Sequence, residues 1–286
     1  MRIASAILLV LAVSVCQAQE RIRDVIYLKQ GGCAFTMDVF KPKTPSHKAV
    51  IWLVSGGWVS DHNQISPDLA KLLTDKGFTC FEVVHGAQPR FKISEIIPQI
   101  RRAVRFVRAN AATYDINPNE IGISGASAGG HLSLEVAGLG DDGNPNSSDP
   151  VEKASSKVNA VVAFFPPTDF LNWGGPGITP FHNAALSIFM PAFGVTAQTP
   201  EDRIHQIAVE LSPVTNVSAA FPPTLLVHGD ADKLVPVQQS QELDQLFTKD
   251  GVVHKLDISH GTGHDEQTLL YGLPDAISWF ETHLTG

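Results

Sequence analysis

Residues 120–132 read E-I-G-I-S-G-A-S-A-G-G-H-L. The first part, Ile121 to Ser124, is a short apolar strand. Gly125, Ala126, Ser127, Ala128 and Gly129 form a G-x-S-x-G turn, and a helix begins at Ala128 with Leu132, Leu134 and Val136 as expected core positions. Small residues crowd around Ser127 because a strand that reverses sharply into a helix leaves no room for neighbouring side chains. Such a turn puts the serine hydroxyl at an exposed apex. The helix N-terminus beyond it aims free N–H groups and the positive end of its dipole at the same place. An acyl-transfer nucleophile needs this geometry, although a serine that merely caps a helix can stand in the same short pattern.

The surrounding pattern is that of a parallel sheet. Ala49 to Val54 (A-V-I-W-L-V), Phe78 to Val84 and Val158 to Phe165 are continuous apolar runs, as expected for strands covered on both faces. Pro223 to Val227 and Val252 to Ile258 add two more strands. Asp24 to Leu28 and Ala34 to Phe40, separated by Gly31-Gly32, read as a hairpin. Helical patterns fall between the later runs: 94–113, 237–249 and a closing helix over 265–284. The alternation predicts an α/β fold with a mostly parallel central sheet and helices on both faces. Residues 166–213 are rich in glycine, proline and aromatics and too long for an ordinary connection. They are expected to form a lid-like insert, with short helices near Asn183–Phe189 and Glu201–Val209.

Three residue types at three strand ends carry the chemistry. A serine hydroxyl is a poor nucleophile unless a histidine takes its proton and a carboxylate holds that imidazole in the right tautomer. An acidic residue follows the strand ending at Val227, and a histidine follows the strand ending at Ile258. Two aspartates and two histidines compete for these positions: Asp230 or Asp232, His260 or His264. Asp232 and His264 are favoured, with Asp230 suited to pinning its loop. Ser55-Gly56-Gly57-Trp58, directly after a central strand, lets backbone N–H groups face a ligand. Gly56 and Gly57, with Ala128, are the expected oxyanion donors, and Trp58 is expected at the pocket wall. His85 and Asp169 also follow strands, where a loop histidine and a turn-capping carboxylate are the plainer readings.

Composition sets bounds. The 286 residues are 43% hydrophobic and carry a net charge of −8, which argues against a nucleic-acid partner. Arg101, Arg102, Arg105 and Arg108 line one side of the 94–113 helix and read as a solvated face. Asp141, Asp142 and Asp149 only superficially resemble a calcium loop, and His260 with His264 lacks a third ligand, so no metal is expected. Residues 1–18 have the pattern of a secretory signal peptide: Arg2, an apolar run from Ile7 to Val15, and small residues at Cys16 and Ala18. Export to the periplasm or exterior is expected, with no stable membrane insertion after cleavage. Cys33 and Cys80 would then remain, either as one disulfide or as two thiols.

Taken together, S-G-G-W (55–58), R-A-V-R-F-V-R-A-N-A (102–111), G-A-S-A-G-G-H-L (125–132), H-G-D-A-D-K-L-V-P (228–236) and H-G-T-G-H (260–264) resemble an α/β-hydrolase. More narrowly, the set resembles the bacterial feruloyl- and acetyl-esterase-like branch related to prolyl-oligopeptidase catalytic domains. The resemblance covers nearly all of 19–286 and implies a serine esterase with Ser127, Asp232 and His264 as its triad. It implies no cofactor, and a small-molecule or polysaccharide-linked ester as substrate. Val54 and Ser55 stand where many relatives have a histidine and a first glycine. A serine peptidase of the prolyl-oligopeptidase type, and a binding protein on a degenerate hydrolase fold, are the alternatives.

Overall fold

The structure, a computed structural model, describes residues 20–285. The expected signal peptide lies outside the described residues. Eight strands form one sheet: β1 (Glu20–Gln30), β2 (Cys33–Lys41), β3 (Ala49–Val54), β4 (Thr79–Val84), β5 (Ile121–Ala126), β6 (Ala160–Phe164), β7 (Thr224–Gly229) and β8 (His254–Ser259). Their spatial order is β1-β2-β4-β3-β5-β6-β7-β8. The first two strands are an antiparallel hairpin, β2 pairs antiparallel with β4, and every later pairing is parallel.

Among the described residues seven α-helices accompany the sheet: α1 (Pro67–Thr74), α2 (Ile93–Ala109), α3 (Ala128–Gly138), α4 (Met190–Phe193), α5 (Glu201–Glu210), α6 (Gln238–Asp250) and α7 (Glu266–His283). The alternation of side chains along each strand splits the core in two. Ile51, Leu53, Ile123, Val161, Ala163 and Leu226 face α2, α3 and α6, while Val50, Val162, Phe164, Leu225 and Val227 face α1 and α7. That is why the central strands read as unbroken apolar runs. Each such fully buried aliphatic or aromatic side chain stabilises the fold by roughly 1.5–3 kcal/mol. Close approach sets some of the glycines: a Cβ on Gly122 in β5 would lie 2.5 Å from the Phe280 ring of α7.

Two expectations are corrected. The 94–113 helix ends at Ala109, where Asn110 breaks it and a 3₁₀ turn over Ala111–Tyr114 follows. The arginines along it are not a solvated face. Arg101 and Arg105 both grip Asp141, and Arg102 reaches Asp149 at 2.7 Å and Glu152 at 2.5 Å. Arg108 donates to the carbonyls of Pro118, Ser155 and Lys157. The acidic loop and the basic helix stripe, separate in sequence, answer each other and bolt residues 141–157 to α2.

Among the described residues Cys33 and Cys80 are both free. Cys33 opens β2, whereas Cys80 lies opposite Phe40 at its other end. At ~3.3 Å per residue those positions are about 23 Å apart, well beyond the roughly 7 Å Cα limit for a disulfide. The 166–213 stretch carries 3₁₀ turns at Pro180–His182 and Ala184–Phe189, then α4 and α5. Its aromatics Phe170 and Phe181 each pack edge to face against Phe193 above the carboxyl ends of the strands.

Candidate active site

Ser127 sits between β5 and α3 with φ 54° and ψ −119°, a backbone state that side chains rarely adopt. The glycines around it show why. A Cβ on Gly125 would lie 2.5 Å from the Gly129 carbonyl carbon, and one on Gly129 would lie 3.0 Å from the Leu53 carbonyl oxygen. The turn is pinned by Ser127 N–H donating to the Phe164 carbonyl at 2.9 Å and by His131 N–H donating to the Ser127 carbonyl at 2.9 Å. Ala128 N–H, at the first position of α3, has no acceptor within its own helix.

Three strand ends then converge. His264 Nε2 lies 2.8 Å from Ser127 Oγ, and His264 Nδ1 lies 2.7 Å from Asp232 Oδ2. The other carboxylate oxygen of Asp232, Oδ1, accepts the N–H groups of Leu234 and Val235 at 2.8 and 2.9 Å. The carboxylate is fully enclosed. Burial works to raise its pKa, but hydrogen bonds from His228 and His264 and from the backbone override it and hold the group well below the usual carboxylate range. A ring neighbour, Phe165, leans on His264 with centroids 4.5 Å apart.

The competing pair has its own task. His260 Nδ1 is 2.7 Å from Asp230 Oδ2, and Asp230 Oδ1 accepts Gly261 N–H at 2.7 Å. This exposed pair clamps the turn that presents His264. Asp169 accepts N–H groups from Leu171 and Asn172, the capping role of a turn carboxylate. His85 is buried with Nδ1 on the Gly86 carbonyl at 2.7 Å, and burial lowers its pKa to about 4.

Of the expected oxyanion donors, Gly56 is corrected. Its N–H donates to the Val59 carbonyl at 3.0 Å, and Val59 N–H returns to the Gly56 carbonyl at 3.0 Å. The loop is therefore a tight two-residue hairpin that consumes that donor. Gly57 and Trp58 form its tip, and both line the cleft that opens beside Ser127. The cleft's walls are Trp58, Phe170, Trp173, Phe189, Phe193, Leu186 and Met190 with prolines and aliphatics, and no charged side chain lines it. Among the described residues no group of three or more His, Cys, Asp or Glu is arranged to hold a metal ion.

Two buried histidines escaped sequence reasoning. His228, at the end of β7, lies with Nε2 3.0 Å from the Val235 carbonyl and 3.4 Å from Asp232 Oδ2, and with Nδ1 2.7 Å from Ser240 Oγ. His131, one turn after Ser127, accepts the Trp58 indole N–H at 3.2 Å and sits with Nε2 2.8 Å from the Leu211 carbonyl. The one available signal for His131 was a polar residue in a helix made mostly of small and apolar ones.

A mostly parallel eight-stranded sheet with this strand order, a strained serine turn after β5 and an imidazole and carboxylate after the last two strands define an α/β-hydrolase. The BD-FAE family profile matches residues 37–247, and the chain belongs to that family. It is 32% identical over 202 residues to the probable carboxylic ester hydrolase LipM of Mycobacterium tuberculosis, covering 69% of this chain and 44% of that protein. Esterase LipC of the same organism is 27% identical over 209 residues, or 72% of this chain and 50% of that one. The chain thus spans about half the length of these curated relatives. A truncated carbohydrate esterase from gut microbiota superposes with a TM-score of 0.77 at 24% identity, covering 93% of this chain and 97% of that one. Esterase 2 of Thermogutta terrifontis, phosphoramylated by tabun, superposes with a TM-score of 0.70 at 20% identity, covering 92% and 94%.

Proposed function

We propose that this protein is a carboxylic ester hydrolase that works through an acyl-enzyme on Ser127. The observation that carries the reading is the unbroken chain from Ser127 Oγ through both nitrogens of His264 to the enclosed Asp232 carboxylate. In this reading His264 Nε2 takes the Ser127 proton as Oγ bonds to the ester carbonyl carbon. The proton then passes to the leaving alcohol as the C–O bond breaks. Water then enters and bonds to the acyl carbon as it gives a proton to the same nitrogen, and that proton returns to Ser127 Oγ as the Oγ–acyl bond breaks and the acid leaves. Asp232 fixes the imidazole tautomer and balances its transient charge. Gly57 and Ala128 N–H groups receive the oxyanion, a good donor there contributing about 3–4 kcal/mol.

The acyl side is assigned to the aromatic cleft and is therefore short and apolar, or aryl. The alcohol side faces the open mouth, and a carbohydrate-linked ester fits that reading, one structural neighbour being named a carbohydrate esterase. A peptidase reading is disfavoured because the cleft offers no carboxylate to hold a peptide's amino group. The pattern in residues 1–18 supports export. The test is a profile of p-nitrophenyl esters from acetate to decanoate and of methyl cinnamates, set against chromogenic dipeptides. Turnover of short or aryl esters with dipeptides untouched is expected. Cleavage of dipeptides at equal kcat/KM would overturn the assignment.

A further inference from the structure

The hairpin at the cleft carries an unusual residue. Gly57 and Trp58 both have positive φ, 57° and 59°, which is the signature of a type I′ turn between Gly56 and Val59. Glycine, asparagine or aspartate normally fills both central places, because a bulky side chain in the left-handed region crowds its own backbone. Trp58 occupies the second place and is 5% exposed; Gln88 grips the backbone of the tip, its N–H donating to the Trp58 carbonyl at 3.1 Å and its Nε2 to the Gly57 carbonyl at 2.5 Å, and the indole is held as well.

What holds it is legible atom by atom. The indole Nε1–H, which can only donate, points to His131 Nδ1 at 3.2 Å. The Leu211 carbonyl, which can only accept, lies 2.8 Å from His131 Nε2. These two partners leave one consistent assignment, a neutral imidazole with its proton on Nε2. The imidazole is completely buried. Around the indole stand Phe189 at 5.9 Å and Phe193 at 5.0 Å, both edge to face, with Phe170 at 6.2 Å. All three phenylalanines, like Leu211, belong to the 166–213 segment.

We propose that His131 is a positioning residue: through the Trp58 indole it holds the hairpin in the conformation that aims the Gly57 N–H at the reacting carbonyl, and through Leu211 it ties that hairpin to the 166–213 segment. This rests on the esterase reading and adds a side chain whose hydrogen-bond partners, Trp58 and Leu211, include neither substrate nor the Ser127 hydroxyl. The helix that begins at the nucleophile thereby also sets the donor on the opposite side of the carbonyl. Both halves of the oxyanion site move as one body with α3. A shift of the insert that pulled Leu211 away would slacken the donor without disturbing Ser127, His264 or Asp232.

The experiment uses His131→Phe, which keeps a ring but removes both hydrogen bonds, and His131→Asn, which restores an acceptor near the Nδ1 position. Misplacing one oxyanion donor costs on the order of 10²-fold. His131→Phe is expected to lower kcat by about that factor with KM within about threefold, and to weaken an aryl trifluoromethyl ketone by the same factor as kcat/KM. His131→Asn should recover part of both. Trp58→Phe reaches the same latch from its other end if His131→Phe does not fold. Independently of turnover, the Trp58 indole N–H, assigned by its loss in Trp58→Phe, should exchange slowly in the wild type and quickly in the His131 variants. A folded His131→Phe with unchanged kcat and inhibitor affinity, or an indole proton that exchanges equally fast in all variants, would overturn the proposal. A wild type that hydrolyses no ester would instead sink the esterase reading, while the indole exchange still tests the latch.

Discussion

Replacing Asp232 by asparagine isolates the part played by one oxygen. Oδ1 accepts the N–H groups of Leu234 and Val235 at 2.8 and 2.9 Å, and Oδ2 lies 2.7 Å from His264 Nδ1. In Asp232→Asn the two backbone donors still demand an oxygen at the first position. The amide nitrogen must then face His264, and a donor meets Nδ1. The imidazole answers by moving its proton to Nε2, which makes that nitrogen a donor toward Ser127 and destroys the general base. The expected loss is about 10⁴-fold in kcat, equivalent to roughly 5.5 kcal/mol of transition-state stabilisation. Stability should change little, since the caps of Leu234 and Val235 survive. Asp232→Ala forfeits those caps as well and should cost a further ~1–3 kcal/mol of folding stability. The assay is p-nitrophenyl acetate turnover at pH 7.5 beside thermal unfolding of both variants. A folded Asp232→Asn that retains more than about a tenth of wild-type kcat would refute the tautomer argument.

Ser127→Gly should abolish turnover yet raise Tm, because glycine relieves backbone strain on the order of 1–3 kcal/mol and gives back only about 0.5–1 kcal/mol in chain entropy. Ser127→Ala keeps the Cβ and should show no such gain; equal Tm changes in the two variants would count against strain at the turn. Asp141→Ala should lower stability by ~1–2 kcal/mol with kcat unchanged, since Arg101 and the buried Arg105 lose their shared acceptor; urea unfolding reads this, and an unchanged midpoint would dismiss the bolt. Burial raises the pKa of Glu135 from 4.5 to about 8, so the folded chain keeps a proton that the unfolded chain releases, and stability falls as pH rises across that window. Burial lowers His131 from 6.5 to about 4, so its contribution is lost instead as pH falls from 6.5 toward 4. Glu135→Gln should therefore flatten the decline in Tm between pH 5 and 8 and leave the acid side alone; parallel Tm curves for variant and wild type would contradict the assignment.

Much of the frame is legible in the sequence. Apolar runs gave away β3, β5 and β6 because both faces of those strands are covered, and covering leaves no polar alternation to confuse the count. The G-x-S-x-G turn was readable because backbone crowding restricts Gly125 and Gly129 to almost nothing larger. Local chemistry also separated Asp230 from Asp232 in the expected sense, one clamping its loop and the other meeting His264. What escaped was non-local. The hydrogen bond that takes Gly56 out of the donor set depends on the hairpin's backbone, and Ser55-Gly56-Gly57-Trp58 has no side chain that announces it. The arginine stripe looked solvated because its acceptors lie some forty residues away in the chain. The same holds for His131, whose partners come from residues 58 and 211. Periodicity reports which face is buried, not which remote group shares the burial.

Everything turns on the hydroxyl of Ser127 being the atom that bonds to the acyl carbon. Incubating the protein with a fluorophosphonate and mapping the adduct by peptide mass spectrometry asks this directly. A single phosphonylated residue at Ser127, absent in Ser127→Ala and formed far more slowly in His264→Ala, is the expected result. A protein that hydrolyses esters at full rate while Ser127 stays unmodified, or that carries the adduct on another residue, would contradict the account.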